Sequence, residues 1–328
     1  MSEVEIDYSI FHKSEYIFEK DAEEYDVLVS AFNESDRVKK LFEDLPAKEK
    51  YWVLFPDYGI GIEQFPSDGQ LIECPSVDEA EQLARVFDEI SGISGDISKL
   101  SLAIDITGFP RPQLAFLLLY LSKSVETVDL FYSEPIQYVK KEKTNFSTGA
   151  ISEVRQIRGF EGSHSPETTG DLLIVGSGYD EKMIKSVCNH KAHALKYQVV
   201  GFPSLRPDMY QENIYRASSA AEELGDMAFV RPILAPANDP FQTAQKLSGR
   251  IRELREAGGI TNIYLSPLST KPQTVGFVLM YLFELAGKVP ASIIFPFSNG
   301  YSSETTKGLH SVIKYRVEYS LVLGISGQ

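Results

Sequence analysis

Cysteine is scarce in this sequence: Cys74 and Cys188 are the only two among 328 residues. They fall at unlike places in the chain, which excludes a disulfide-stapled framework and any four-cysteine zinc site. Histidine is nearly as rare, and His12, His164, His190, His193 and His310 are scattered. The run Cys188-Asn189-His190-Lys191-Ala192-His193 has ligand-like spacing, but no second cluster completes a zinc shell. It reads instead as a helix end with cationic histidines near its C-terminus. No phosphate-cradling Walker A loop, Gly-x-Ser-x-Gly elbow or His-Glu-x-x-His helix is present, and the reading calls for no metal and no cofactor.

Long apolar runs are also missing. A membrane span needs about 20 apolar residues, whereas the longest candidate, Leu114 to Leu121, has the length of a core helix segment. The start of the chain is acidic and lacks the basic n-region of a signal peptide. The expectation is a soluble cytoplasmic protein that does not engage membrane. Basic residues are outnumbered, 32 Lys and Arg against 46 Asp and Glu, for a net charge of −14. A face for long duplex nucleic acid needs clustered cations to displace counterions. Only Lys140-Lys141-Glu142-Lys143 comes close, and it reads as a solvated loop. A small anion in a local pocket stays open, because a local field need not follow net charge.

What the sequence does contain is the same unit twice. Glu24-Tyr25-Asp26-Val27-Leu28-Val29-Ser30-Ala31-Phe32-Asn33-Glu34 returns without a gap as Asp171-Leu172-Leu173-Ile174-Val175-Gly176-Ser177-Gly178-Tyr179-Asp180-Glu181. Phe55-Pro56 returns as Phe202-Pro203 at the same offset, and Arg111-Pro112-Gln113 as Lys271-Pro272-Gln273 after an insertion. With 43% hydrophobic and 24% charged residues the chain can build two ordinary cores. Repeats of this length decide architecture before residue-level reasoning begins.

Each copy opens on a continuous apolar strand (Val27–Ser30; Leu172–Gly176) of the kind buried in a parallel sheet. A helix follows (Asp36–Leu45; Lys182–Cys188), then a strand ending at the shared Phe-Pro. A later helix carries a core stripe at Ala80, Leu83, Phe87 and Ile90, matched by Ala244, Leu247, Ile251 and Leu254. Next come a strand (Leu102–Ile106; Ile263–Leu265), an apolar helix (Gln113–Leu121; Gln273–Phe283) and another strand (Val128–Tyr132; Ser292–Phe295). Each copy closes on Gly-x-x-Ser-x-Val/Ile-Arg/Lys: Gly149, Ser152, Val154, Arg155 against Gly308, Ser311, Ile313, Lys314. Alternating strands and helices predict an α/β fold of two tandem Rossmann-like parallel-sheet units arising from an internal duplication. The boundaries read as an acidic extension over 1–24, repeats over 25–160 and 171–328, and a linker over 161–170. The extension, with eight acids and two lysines, fits a docking arm, a disordered tail or an N-terminal strand.

Ligands of open parallel sheets bind beyond the carboxyl ends of the strands, which singles out two loops per copy. The loop after the first strand offers Ser30 and Asn33 in one copy, Ser177 and Asp180 in the other. Asn33 and Asp180 are good N-caps, and Asn33 with Asp36 resembles a capping box. The same side chains could instead meet a ribose or base. Val175-Gly176-Ser177-Gly178 suggests dinucleotide binding, but the third glycine is absent and the sister copy has Val29-Ser30-Ala31. The second loop, Asp105-Ile106-Thr107-Gly108-Phe109-Pro110-Arg111-Pro112 or Leu265-Ser266-Pro267-Leu268-Ser269-Thr270-Lys271-Pro272, sets hydroxyls and one cation before a helix. Free N–H groups and the dipole of a helix N-terminus suit phosphate, and Arg111 or Lys271 would add a charge-assisted contact. A plain turn with both cations in solvent is the competing reading.

The strand followed by Asp-Ile-Thr-Gly-x-x-Arg and a helix resembles the strand-4 signature of CRISPR-associated Rossmann-fold (CARF) sensor domains. That signature runs Asn/Asp-x-Thr-Gly-Gly-Thr-Lys into an apolar helix. Phe109-Pro110 here replaces its Gly-Thr, and Pro267-Leu268 replaces Thr-Gly in the second copy. The resemblance implies binding of cyclic oligoadenylates across a two-fold axis between two such domains. It implies Thr107, Gly108 and Arg111 as ligand contacts in copy one, and Ser269, Thr270 and Lys271 in copy two. The expected function is a sensor in antiviral defence that binds a nucleotide-like anion in a pseudo-dimer of its halves and acts through a partner protein. Two rivals stand beside it: a metal-independent nuclease that degrades such a signal, with Arg111 or Lys271 stabilising developing charge, and a non-enzymatic adaptor subunit. No catalytic residue is assigned.

Overall fold

A computed structural model describes residues 6–18, 20–21, 23–61, 65, 68–138, 150–207, 209–298, 300 and 306–323. The Lys140–Lys143 run and Gly149 of the first closing motif lie outside them. The chain begins with β1 (His12–Tyr16), β2 (Tyr25–Ala31), α1 (Asp36–Asp44), β3 (Ala47–Leu54) and β4 (Gln70–Glu73). Next are α2 (Glu79–Ser94), β5 (Leu102–Asp105), α3 (Arg111–Ser124) and β6 (Thr127–Tyr138). Then come β7 (Ile151–Gln156), β8 (Leu172–Gly176), α4 (Glu181–His190) and β9 (Leu195–Gly201). Three short helices, α5 (Met209–Ser218), α6 (Ala221–Leu224) and α7 (Asp226–Val230), fill the insertion of the second copy and lead to β10 (Ile233–Ala235). After these run α8 (Pro240–Glu256), β11 (Ile263–Pro267) and α9 (Lys271–Met280), which ends in a π-helical turn at Tyr281–Leu285. β12 (Ala291–Ser298), β13 (Thr306–Glu318) and α10 (Tyr319–Leu323) complete it.

Two sheets result. One runs β1-β13-β6-β5-β2-β3-β4 and the other β10-β9-β8-β11-β12-β7. Within them β6-β5-β2-β3-β4 and β12-β11-β8-β9-β10 are parallel and correspond strand for strand. The fold is therefore α/β, with two Rossmann-like units. The apolar runs behave as a covered parallel sheet requires: every residue of β8 is buried, as are six of the seven in β2. The predicted stripes also face the cores, with Leu83, Phe87, Ile90, Ala244, Leu247 and Ile251 buried and Ala80 and Leu254 half-buried.

The closing strands differ from the sequence-based expectation. β7, the end of the first repeat, pairs antiparallel with β12, placing Arg155 opposite Phe295. β13, the end of the second repeat, pairs antiparallel with β6, placing Lys314 opposite Phe131. The compact units are accordingly 1–10 with 149–299 and 11–148 with 300–328, so the repeats exchange their last strands. Each antiparallel strand meets the same kind of edge it would have met in its own repeat, so the ladder hydrogen bonds are kept.

In the unit built on the first repeat, Trp52 stacks on Phe42 with ring centroids 3.6 Å apart and meets Phe32 edge-on at 5.3 Å. Phe87 and Tyr120 stack at 4.4 Å and join α2 to α3. Residues His12–Tyr16 of the acidic extension form β1, the outer strand of this sheet. In the other unit Tyr8 is fully buried, its backbone N–H donates to Gln245 Oε1, and its hydroxyl donates to Glu284. The predicted linker is strapped to the same unit: Asn262 donates to the Ser165 and Glu167 carbonyls and to Asp171, and His164 stacks on Tyr264. Cys74 and Cys188 are buried free thiols, each pushed up to about 12 by burial. His190 sits in the last turn of α4 as expected, yet burial and the neighbouring Lys191 lower its pKa and disfavour the cationic form.

Candidate functional site

In both sheets the strand order reverses direction at one point. β2 leads through α1 to β3 on one side, while β5 leads through α3 to β6 on the other, so the crevice opens beyond β2 and β5. β8 and β11 play the same parts in the other unit.

At the first crevice the two loops touch. A β-carbon on Gly108 would lie 2.0 Å from the Ala31 carbonyl oxygen and 3.3 Å from Asn33 Nδ2, so only glycine fits. Ser30 is fully buried and donates to Asp105 Oδ2 at 2.8 Å, and the Thr107 N–H donates to Oδ1 at 2.9 Å. Burial pushes the Asp105 carboxyl up to about 6, against the pull of these hydrogen bonds and the Arg37 charge. Thr107 Oγ1 accepts from the Ser133 N–H at 3.0 Å, tying the loop to β6. Arg37 reaches in from the first turn of α1. Its Nη1 donates to the Ser133 carbonyl and its guanidinium lies 5.7 Å from the centre of the Tyr132 ring. Tyr58 donates to the Gly108 carbonyl at 2.6 Å, and its hydroxyl is raised by burial while the Asn33 hydrogen bond and the Arg111 and Arg37 charges lower it. Arg111 is the first residue of α3 and is buried, which removes the reading of a solvated surface charge. Arg37 Nε and Ser133 Oγ are buried here without a hydrogen-bond partner among the described residues.

Asn33 is not the cap of α1. That position belongs to Ser35, and Asn33 Oδ1 instead accepts the Ser35 N–H at 3.0 Å in a local turn. Asn33 lies two residues before that cap position, so α1 starts beyond its reach.

The second crevice has the same layout from different residues. A β-carbon on Gly178 would lie 2.1 Å from the Leu268 carbonyl oxygen, and one on Gly176 would lie 2.8 Å from Ser269 Oγ. Ser177 donates to Gln198 Oε1 at 2.8 Å, and its carbonyl accepts from Asn213 Nδ2 at 3.0 Å. Asp180 caps α4 through the Met183 N–H, as expected. Thr270 caps α9 through the Gln273 N–H and donates to the Ala237 carbonyl, with half-buried Lys271 as the first helical residue. Arg216, from α5, donates to the Tyr179 carbonyl at 2.9 Å and pairs with Glu212 at 2.7 Å. Ser266 Oγ and Asn213 Oδ1 are buried without hydrogen-bond partners among the described residues.

The structure thus brings Ser30, Asn33, Thr107, Gly108 and Arg111 to one strand-end crevice, and Ser177, Asp180, Ser269, Thr270 and Lys271 to the other. The Ser30 and Ser177 hydroxyls are spent on Asp105 and Gln198, so they brace the loops. Sequence reasoning did not single out Arg37, Tyr58, Asn213 or Arg216. Comparing the copies could not find the first two, because Ile184 and Leu205 stand at their counterpart positions, and the other two lie in the insertion. Among the described residues no helix is long and apolar enough to cross a membrane. A scan against protein-family models matches none, and a search of the curated proteins finds no match.

Proposed function

We propose that the chain binds a small nucleotide-like anion at these strand-end crevices and acts as a sensor through a partner protein. One observation carries the reading. The first crevice gathers two buried basic side chains, Arg37 and Arg111, and the second holds Lys271 as the first residue of α9, each beside buried polar atoms that have no hydrogen-bond partner among the described residues. Buried polar groups are ordinarily satisfied, and one left open at a strand-end crevice marks a place where a ligand supplies the partner. Two guanidinium or ammonium groups select an anion, with arginine suited to a phosphate fork. The resemblance of the Asp105–Arg111 loop to CARF sensor domains narrows the anion to a cyclic oligoadenylate.

The test is a thermal-shift screen of AMP, cyclic tetra-adenylate and cyclic hexa-adenylate. A ligand of the folded state must raise the melting temperature by mass action. The expected result is a concentration-dependent rise for a cyclic oligoadenylate, reduced in Arg111→Ala and in Lys271→Ala. No shift for any of the three overturns the reading.

A further inference from the structure

Of the open polar atoms at the first crevice, Arg37 Nε can only donate a hydrogen bond and the Ser133 hydroxyl can donate one. A third open atom has the opposite character. Gln113, in the first turn of α3 and two residues after Arg111, is 4% exposed. Its side-chain oxygen Oε1 is buried without a hydrogen-bond partner among the described residues.

Which end of a buried amide is left open depends on what its neighbours can give and take. A relay through three residues decides it here. The Ser76 carbonyl can only accept, and it takes a hydrogen from Nε2 of Gln82, a buried residue in the first turn of α2. Gln82 therefore turns its oxygen the other way, and that oxygen accepts from Gln113 Nε2 at 3.0 Å. The second hydrogen of Gln113 Nε2 goes to Asp57 Oδ2 at 3.2 Å. Both donors of the Gln113 amide are thus engaged, and what remains is an acceptor of fixed orientation. Turning the amide over would set its oxygen against those of Gln82 and Asp57, two repulsions in a buried place.

Asp57 ties this acceptor to the crevice. It precedes Tyr58, whose hydroxyl donates to the Gly108 carbonyl at 2.6 Å, so the loop after β3 and the start of α3 form one wall of the crevice. The other unit leaves an acceptor open from an unrelated position. Gln273, the counterpart of Gln113, sends its amide N–H to the Ala235 carbonyl at 3.1 Å. Asn213 of α5 gives its amide N–H to the Ser177 carbonyl at 3.0 Å and keeps Oδ1 buried, without a partner among the described residues. An oxyanion satisfies Arg37 and Ser133 but repels an amide oxygen. Buried acceptors are ordinarily satisfied, so the occupant must bring a hydrogen-bond donor as well as a charge.

We propose, on the footing of the anion-binding reading, that Gln113 determines specificity in the first crevice. Its oxygen accepts from an N–H or O–H group of the ligand, while Arg37 and Ser133 take the oxyanion. In a cyclic oligoadenylate two groups have that chemistry, the exocyclic amine of the base and the ribose 2′-hydroxyl.

Equilibrium titration of the full chain with cyclic tetra- and hexa-adenylate, and with their inosine and 2′-deoxy analogues, tests this. The inosine analogue replaces the amine by a carbonyl, and the 2′-deoxy analogue removes the hydroxyl. At least one of the two should bind wild type about tenfold more weakly than its parent, because it leaves a buried acceptor unpaired. In Gln113→Leu the parent should weaken by a similar factor and that penalty should vanish, the coupling expected of two groups in contact. The analogue whose penalty vanishes identifies the donor. The salt dependence of binding should remain, since the charged contacts are untouched. Parent binding that wild type does not distinguish from either analogue overturns the inference alone, and that comparison needs no variant to fold. Discrimination that survives in a folded Gln113→Leu does the same. Absence of binding by either parent to wild type overturns the anion-binding reading and this inference with it.

Discussion

Gly108 packs against the Ala31 carbonyl oxygen so closely that a β-carbon would lie 2.0 Å away, and in the other unit Gly178 packs against the Leu268 carbonyl at 2.1 Å. The two contacts are the same contact with the glycine on opposite sides. Ala31 is the counterpart of Gly178, and Leu268 is the counterpart of Gly108. Both repeats need their crevice loops in backbone contact, and each meets the need with one glycine placed on a different loop.

Gly108→Ala and Gly178→Ala should each destabilise the chain by about 2–4 kcal/mol, because backbone has to move to relieve the overlap. Gly92 in α2 is the control: it is exposed, with nothing within 4 Å of an added β-carbon. Gly92→Ala should be stabilising by about 0.5–1 kcal/mol, since the helix gains propensity without a clash. Urea denaturation of the three variants measures the contrast, and equal midpoints would contradict the packing argument.

Asp105 gives a pH signature. Its folded-state pKa of about 6 lies above the ordinary carboxylate value, because burial penalises the charge. A raised acid favours folding while protonated, so its contribution is present below about pH 4 and is lost as pH rises through 6. The difference from the ordinary value corresponds to about 3 kcal/mol. Asp105→Asn should remove most of this slope between pH 4 and 7 while still accepting the Thr107 N–H. Chemical denaturation across that range reads it, and an unchanged slope would contradict the assignment.

Asp129 should behave in the opposite sense. Burial pushes its carboxyl up, but the hydrogen bonds from Arg316, Lys314 and Tyr25 together hold it below the usual range. A lowered acid contributes stability above its unfolded pKa and loses it as pH falls. Asp129→Asn should therefore flatten the acid limb of the stability curve. It should also cost about 3–5 kcal/mol at neutral pH, because Lys314 and Arg316 lose their charged partner. Stability equal to wild type at pH 7 would contradict the network as described.

The parallel sheets were legible in the sequence because strands such as Leu172–Gly176 are apolar throughout, which only a doubly covered strand tolerates. The repeat then located the crevice loops, and Thr107, Gly108, Ser269 and Thr270 fall at strand ends for that reason. The exchange of β7 and β13 was not legible. β7 is only partly buried along its length, and such a strand carries no local mark telling β6 from β12 as its partner. Arg37 escaped because it reads as an ordinary charge in the first turn of a helix. Only the tertiary placement of α1 against Ser133 turns it inward. Asn33 is not the cap because α1 starts two residues later than the matching helix of the other copy, a distance that capping patterns do not resolve.

The central claim is that the strand-end crevices bind a nucleotide-like anion. The most direct test is equilibrium titration of the full chain with cyclic tetra-adenylate and cyclic hexa-adenylate, alongside Arg37→Gln, Arg111→Ala and Lys271→Ala. The account predicts saturable binding of one of them that weakens with salt, as charged contacts do. Affinity should fall about tenfold or more in each variant. Absence of saturable binding, or binding that all three variants leave intact, would contradict it.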